Sequence, residues 1–159
     1  MLILGIDPGL RITGYGVVEV SFRGPALVEA GVLRMKGKGE LHERLVELHE
    51  SLAGLLDEVK PGQVAVEQLY AHYKHPRTAI LMGHARGVIL LAAAQRGLPV
   101  TSLASTLVKR SITGNGHASK VQVQRTVAML CKLKKVPEPP DVADAIAIAW
   151  TLGMRGRGR

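Results

Sequence analysis

The apolar residues of this chain follow two patterns, short runs bounded by glycine or proline and longer segments with helical spacing. The short runs predict five strands, at residues 2–7, 13–20, 26–35, 63–69 and 97–101. Between and after them, the spacing predicts five helices, at residues 40–59, 76–96, 105–112, 118–133 and 141–153. The first helix is the clearest, because apolar side chains recur every three or four residues at Leu41, Leu45, Leu48, Leu52, Leu55 and Val59.

This order of elements predicts an α/β fold. Three strands joined by tight turns, followed by strands linked through helices, indicate a five-stranded mixed sheet with helices on both faces. We expect residues 1–153 to form one domain and residues 154–159 to form a basic, mobile tail. The helix at 76–96 is apolar almost all round, so we expect it to be buried on two sides, one against the core and one against a second subunit.

Positive charge is concentrated in one part of the chain. Residues 68–137 contain 11 Lys and Arg residues and no Asp or Glu, within a chain of net charge +8. Solvated surfaces ordinarily mix both signs, so this segment indicates a polyanionic partner, with nucleic acid as the leading candidate.

The remaining composition narrows the class of protein. Cys131 is the only cysteine, which excludes an internal disulfide and a thiolate zinc cluster. The N-terminus enters a strand directly, without a signal peptide, and the longest apolar stretch is too short to span a bilayer. We therefore expect a cytoplasmic protein without a membrane segment.

Four acidic residues lie in apolar surroundings. Asp7 ends the first strand, Glu67 follows the apolar run 64–66, and Asp141 and Asp144 begin the Ala/Ile-rich last helix. Each of the aspartates has a structural explanation: Asp7 could stabilise the turn at Pro8 and Gly9, and the other two could favour a helix N-terminus. Glu67 has none, because an unpaired glutamate at the end of a buried strand gains nothing.

Taken together, the four acids predict a metal site. Asp141 and Asp144 share one helix face, and if the first and fourth strands are neighbours, Asp7 and Glu67 lie side by side at their carboxyl ends. Carboxylates this close repel one another, and divalent cations relieve that repulsion. Oxygen ligands favour Mg²⁺, with Mn²⁺ able to substitute, and one or two such ions would suit phosphodiester hydrolysis. An acidic metal site beside a basic surface indicates a nuclease.

Several segments carry a resemblance to a known family. They are Ile3–Gly9, Thr13–Val17, Val66–Gln68, Gly83–Gly87 and Asp141–Ala149. In this order, over nearly the whole chain, they resemble the RuvC family of bacterial Holliday junction resolvases. The resemblance implies an RNase H-like fold, a homodimer, and Mg²⁺-dependent paired nicking of four-way DNA junctions. It implies that Asp7, Glu67, Asp141 and Asp144 are the catalytic metal ligands, and that a branch-migration complex of the RuvA and RuvB type is a partner.

The same resemblance implies three DNA contacts. Tyr70 matches an aromatic position that stacks at the opened junction, and Lys109 and Lys120 match lysines near the scissile phosphate. Tyr keeps the aromatic face that base stacking requires. The loop after Tyr70 departs from the usual family pattern, so the resemblance assigns no roles to residues 71–77.

Three other interpretations remain open at this point. An RNase H-like nuclease acting on RNA or an RNA–DNA hybrid would share Asp7 and Glu67. An actin-like nucleotide-binding module would share the glycines after Asp7, although 159 residues are too few for its two domains. The third is a DNA-binding protein without catalytic activity. It leaves the four carboxylates unexplained, because carboxylates repel phosphates unless they bind a metal ion.

Overall fold

The computed structural model describes residues 1–36, 38–69 and 75–156. Its strands are β1 (Leu2–Asp7), β2 (Ile12–Ser21), β3 (Gly24–Arg34), β4 (Gln63–Glu67) and β5 (Val100–Leu103). Its helices are α1 (Leu41–Val59), α2 (Pro76–Ala94), α3 (Ser105–Thr113), α4 (Lys120–Leu130) and α5 (Pro140–Arg155). The strands form one sheet in the order β3-β2-β1-β4-β5. The first three strands are antiparallel and β4 and β5 run parallel to β1, which confirms the predicted mixed sheet.

Side chains alternate between the two faces of this sheet, and each face has its own core. Ile3 on β1 and Ala65 on β4 pack against α3, α4 and α5. Leu4 and Val64, their strand neighbours, pack on the other face against α1 and α2. The result is a three-layer α/β/α arrangement, with helices on both faces as predicted.

Several element boundaries differ from the prediction by a few residues. Helix α4 begins at Lys120, because the Ser119 hydroxyl accepts a hydrogen bond from the Gln122 N–H and caps the helix. Strand β5 lies at Val100–Leu103, later than the predicted 97–101. Helix α5 continues to Arg155, so the first two residues of the predicted tail belong to it, and residues 157–159 lie outside the described part.

Helix α2 is apolar almost all round, yet the described residues cover it on one side only. Its buried residues are Ala85, Ile89, Ala92 and Ala93, whereas Ile80 and Leu91 are 63% and 53% exposed. By length and composition alone it could cross a membrane, with a mean hydropathy of 1.2, but apolar core helices of soluble proteins pass the same test. One face of α2 is therefore left without a partner from the described residues.

The single cysteine lies on the far side of the core from α2. Cys131 is the C-terminal cap of α4 and is half-buried against the cluster beneath α5. Burial raises the pKa of its thiol to about 11, so the reactive thiolate is scarce at neutral pH.

Candidate active site

The ends of two neighbouring parallel strands bring the first two acids together. Ile6 of β1 pairs with Val66 of β4, and the next residue on each strand is Asp7 or Glu67. Alternation places both acids on the face that carries Ile3 and therefore α5. The predicted adjacency of Asp7 and Glu67 at the carboxyl edge of the sheet is thus confirmed.

Helix α5 reaches this edge because two glycines let it approach the sheet closely. A Cβ at Gly5 would overlap the carbonyl oxygen of Ala145, and a Cβ at Gly14 would overlap the carbonyl oxygen of Asp141. Gly14 pairs directly with Asp7 across β1 and β2. The first turn of α5 is therefore pressed against β2 beside Asp7. This contact brings Asp141 and Asp144 of α5 toward the Asp7 side chain.

The turn after Asp7 is held by a buried hydroxyl. Thr13 is fully buried, its Oγ1 donates to the carbonyl of Gly9 at 2.8 Å, and it accepts from the Gly9 N–H at 3.2 Å. Because a buried hydroxyl is stable only when hydrogen-bonded, this pair fixes the path of the chain between β1 and β2. The Asp-Pro-Gly turn does not depend on the Asp7 carboxylate for its closure.

These elements form a cleft lined by both signs of charge. Three of the acids and both predicted DNA-binding lysines line it, together with Ser105 and apolar residues of α3, α4 and α5: Asp7, Glu67, Asp144, Lys109, Lys120, Val108, Val123 and Ile148. Asp141 lies outside the lining but acts on the charges of Asp7 and Asp144. Residues from five elements, distant in sequence, thus meet at one place.

Burial and mutual repulsion raise the pKa values of the cleft acids. Desolvation, followed by the charges of Asp144, Glu67 and Asp141, raises the pKa of Asp7 from 3.8 to about 8. Desolvation also raises the pKa of Glu67 and of Asp144, while Lys109 and Lys120 act in the opposite direction on both. Three carboxyl groups are therefore held in surroundings that disfavour their charged forms.

The acids fit a divalent cation by chemistry, although they do not form a closed ligand shell. Within residues 1–36, 38–69 and 75–156, no three His, Cys, Asp or Glu side chains converge tightly enough to hold a metal ion. Like-charged carboxylates repel one another, which favours a spread arrangement around a shared cleft. Half-buried carboxyl groups that share a cleft and have raised pKa values are the type of oxygen donor that Mg²⁺ or Mn²⁺ stabilises.

The raised pKa of Asp7 predicts an unusual pH dependence of stability. An unfolded Asp7 releases its proton near pH 3.8 and the folded one near pH 8, so in between the folded state binds more protons and stability falls as pH rises. In a chelator, Asp7→Asn should therefore raise the free energy of unfolding at pH 7, by on the order of 3 kcal/mol, and change it little at pH 4. Urea unfolding at the two pH values measures this, and an equal effect at both would contradict the assignment.

The other predicted site residues have different outcomes. Tyr70 lies outside the described residues, so its predicted role stays a prediction.

Two residues at the site were not predicted from the sequence. Ser105 lines the cleft, and the Nε of Arg86 donates to the backbone carbonyl of Glu67 at 3.2 Å. Arg86 stands in one of the segments that carry the family resemblance, but nothing in the sequence connects it with Glu67.

Comparison with known proteins places the whole chain in one family. The family model described as crossover junction endodeoxyribonuclease RuvC matches residues 3–152. The RuvC protein of Rhodopirellula baltica is 53% identical over 149 residues, which is 92% of this chain and 83% of that protein. The RuvC protein of Thermosipho melanesiensis is 45% identical over 157 residues, 99% of both chains.

A solved structure agrees with this match. Thermus thermophilus RuvC in complex with a Holliday junction substrate superposes with a TM-score of 0.90 at 34% identity, covering 99% of this chain and 96% of that one. The agreement in fold confirms the RNase H-like arrangement expected from the sequence. With the family model spanning nearly all of its residues, the chain belongs to the RuvC family of crossover junction endodeoxyribonucleases.

Proposed function

We propose that this protein resolves Holliday junctions in DNA recombination and repair by nicking two strands of like polarity. The observation that carries the proposal is the cleft at the carboxyl ends of β1 and β4, where Asp7, Glu67 and Asp144 lie beside Lys109 and Lys120. Family membership over residues 3–152 supports the same function. The products would be 5′-phosphate and 3′-hydroxyl ends, which a ligase can rejoin.

We propose that Asp7, Glu67, Asp141 and Asp144 hold one or two Mg²⁺ ions, with Mn²⁺ able to substitute. Such ions activate a water and stabilise the charge that develops on a phosphate during hydrolysis. The protein supplies the positions of the carboxylates, through two strand ends and the first turn of α5. The lysines at the cleft would hold the phosphate against the repulsion of the acids.

A comparison of substrates and metals tests this function. A mobile four-way DNA junction, the matched duplex and an RNA–DNA hybrid are each incubated with Mg²⁺, Mn²⁺, Ca²⁺ or EDTA. We expect cleavage of the junction with Mg²⁺ and Mn²⁺ only, in symmetric pairs. Preferential cleavage of the hybrid would favour the other RNase H-like nucleases, and cleavage in EDTA would exclude the metal mechanism.

Lys109 and Lys120 should account for part of the electrostatic contribution to junction binding. Both charges reach the Glu67 and Asp144 carboxyls, so a phosphate at the acids would also lie within their range. A variant that makes one phosphate contact fewer releases one counterion fewer from the DNA when it binds. Lys109→Ala and Lys120→Ala should therefore each reduce the salt slope, the slope of log K for binding against log salt concentration, by about 1. Fluorescence anisotropy at several salt concentrations measures the slope. Lys60→Ala, on the loop after α1, is the control, and unchanged slopes for both cleft lysines would argue against phosphate contact.

We propose that the exposed face of α2 forms the contact of a homodimer. The face carries Ile80 and Leu91, more than half exposed, next to exposed glycines at 83 and 87. Small residues let two helices approach closely, and a two-fold dimer presents two like sites to a two-fold junction. The opposite side of the same helix packs on the core, which holds this apolar face at the surface and supports the proposal.

Leu91→Glu should therefore shift the protein from dimer to monomer in sedimentation equilibrium and uncouple the two nicks. Burying a charge at an apolar contact is costly. Val28→Glu is the matched control, because Val28 is 55% exposed on the edge strand β3, compared with 53% for Leu91. Dissociation by the Val28 variant instead would place the contact on β3.

Other assignments rest on the family alone. We propose that Tyr70 stacks on a base at the junction centre, that a branch-migration complex of the RuvA and RuvB type is a partner, and that the protein acts in the cytoplasm. Co-sedimentation with a junction already bound by such a complex tests the partner. Loss of base unstacking in Tyr70→Ala, followed with 2-aminopurine at the junction centre, tests the aromatic contact.

A further inference from the structure

Arg86 of helix α2 joins that helix to the ends of two strands. Its Nε donates to the backbone carbonyl of Glu67 at 3.2 Å, and its Nη2 donates to the hydroxyl of Ser102 on β5. Ser102 pairs with Val66, the residue before Glu67. One guanidinium group therefore holds the two neighbouring strands at the point where the sheet ends and the cleft begins.

This contact is made from behind the sheet. Arg86 shares the inner face of α2 with Ile89 and Ala93, which belong to the core on the α1 and α2 side. The Glu67 side chain points to the opposite face, into the cleft with Lys109 and Lys120. The charges that act on the Glu67 carboxyl come from Asp144 and these two lysines. Arg86 is thus in contact with the backbone of Glu67 and separated by the sheet from its carboxylate.

The last peptide of β4 has few other restraints. Beyond Glu67 the Gln68 N–H donates to the Leu103 carbonyl at 2.9 Å, and residues 68 and 69 are no longer part of a strand. A strand-end peptide held by one ladder bond can rotate, and rotation would swing the carboxylate. A hydrogen bond from a charged donor to this carbonyl is stronger than one from a neutral donor.

We infer that Arg86 is a positioning residue for strand cleavage: it fixes the peptide that carries Glu67 and thereby sets the direction of that carboxylate into the cleft. The inference rests on the proposed nuclease function of the same site. Arg86 touches neither the scissile phosphate nor the metal in this role, so its loss acts on the chemical step through Glu67. A displacement of about 1 Å at a catalytic group can lower a rate by about a hundredfold.

Three variants and a control test the inference in the 159-residue chain. Arg86→Met removes both hydrogen bonds, Arg86→Lys keeps one donor and the charge, and Ser102→Ala removes only the link to β5. Arg96→Met is the matched control, because the Arg96 guanidinium also donates to backbone carbonyls, those of Ala92 and Ala53, far from the cleft. Single-turnover cleavage of a four-way junction is measured at saturating enzyme, and binding is measured in Ca²⁺.

Arg86→Met should lower the single-turnover rate by about tenfold or more and raise the Mg²⁺ concentration that gives half the maximal rate, with junction affinity and its salt slope unchanged. Arg86→Lys should recover most of the rate, and Arg96→Met should leave both quantities as in the wild type. The inference is overturned if Arg86→Met weakens binding and reduces the salt slope, which would make Arg86 a DNA contact, or if Arg96→Met has the same effect. The wild-type protein is measured in the same assays. A wild-type protein that does not cut junctions would contradict the proposed function, whereas the outcomes above concern only the role of Arg86.

Discussion

Asp7→Asn should abolish junction cleavage while leaving junction binding intact or slightly tighter. Asp7 lies at the centre of the acid group, with Glu67, Asp141 and Asp144 all close enough to raise its pKa. An amide oxygen carries no net charge and is a weaker ligand for Mg²⁺ than a carboxylate, and metal-ion catalysis contributes several kcal/mol. We therefore expect a rate loss of about a thousandfold or more. Binding persists because the variant removes a negative charge from a surface that meets phosphates.

The control for this experiment is an aspartate outside the cleft. Asp57 forms an exposed ion pair with Arg96 at 2.7 Å, and Asp57→Asn should cleave at the wild-type rate. Rates come from single-turnover cleavage in Mg²⁺, and affinities from binding in Ca²⁺. Undiminished cleavage by Asp7→Asn would exclude the carboxylate mechanism, and loss of binding would show that Asp7 acts on DNA directly.

Gly14→Ala should reduce both stability and cleavage, although Gly14 touches no substrate. Its added methyl group would overlap the backbone of Asp141 at the first turn of α5. The helix must shift away from β2, which costs about 1–3 kcal/mol in packing and moves Asp141 and Asp144 away from Asp7. A shift of this kind should lower the cleavage rate by about a hundredfold, measured at a temperature well below the midpoint of unfolding.

Gly54 provides the matched control for Gly14. It lies on the exposed side of α1, where a Cβ would meet nothing within 4 Å. Gly54→Ala should therefore stabilise the protein by about 0.5–1 kcal/mol, because alanine is the better helix former, and should leave cleavage unchanged. If Gly14→Ala cleaves at the wild-type rate, the close approach of α5 is not what sets the geometry of the acids.

The sequence predicted the position of Glu67 because glutamate has few structural uses at the end of a buried strand. Glu67 at the end of an apolar strand has almost no structural role, and that alone pointed to chemistry. The sequence left the pairing of β1 and β4 as a condition, and the structure shows that the two strands are parallel neighbours, which confirms the adjacency of Asp7 and Glu67. The helices on both faces of the sheet were predicted from the order of elements, and the two separate cores confirm them.

Other features depend on contacts that a pattern does not encode. The capping hydroxyl of Ser119 sets the start of α4 a few residues later than predicted. Strand β5 also begins a few residues later than predicted. Gly5 and Gly14 lie within strands, and only the position of α5 shows why a side chain is excluded there. The Arg86 contact with Glu67 spans 19 residues and two layers, and no spacing rule connects them.

The half-buried thiol of Cys131 has a practical consequence for fluorescent labelling. With a pKa near 11, it exists almost entirely as the unreactive thiol at neutral pH, so maleimide dyes should react with it slowly. A cysteine introduced at an exposed position such as Ser51 would react much faster. The wild-type background can therefore carry a single fluorophore without first replacing Cys131, and junction opening can be followed by energy transfer between labelled protein and labelled DNA.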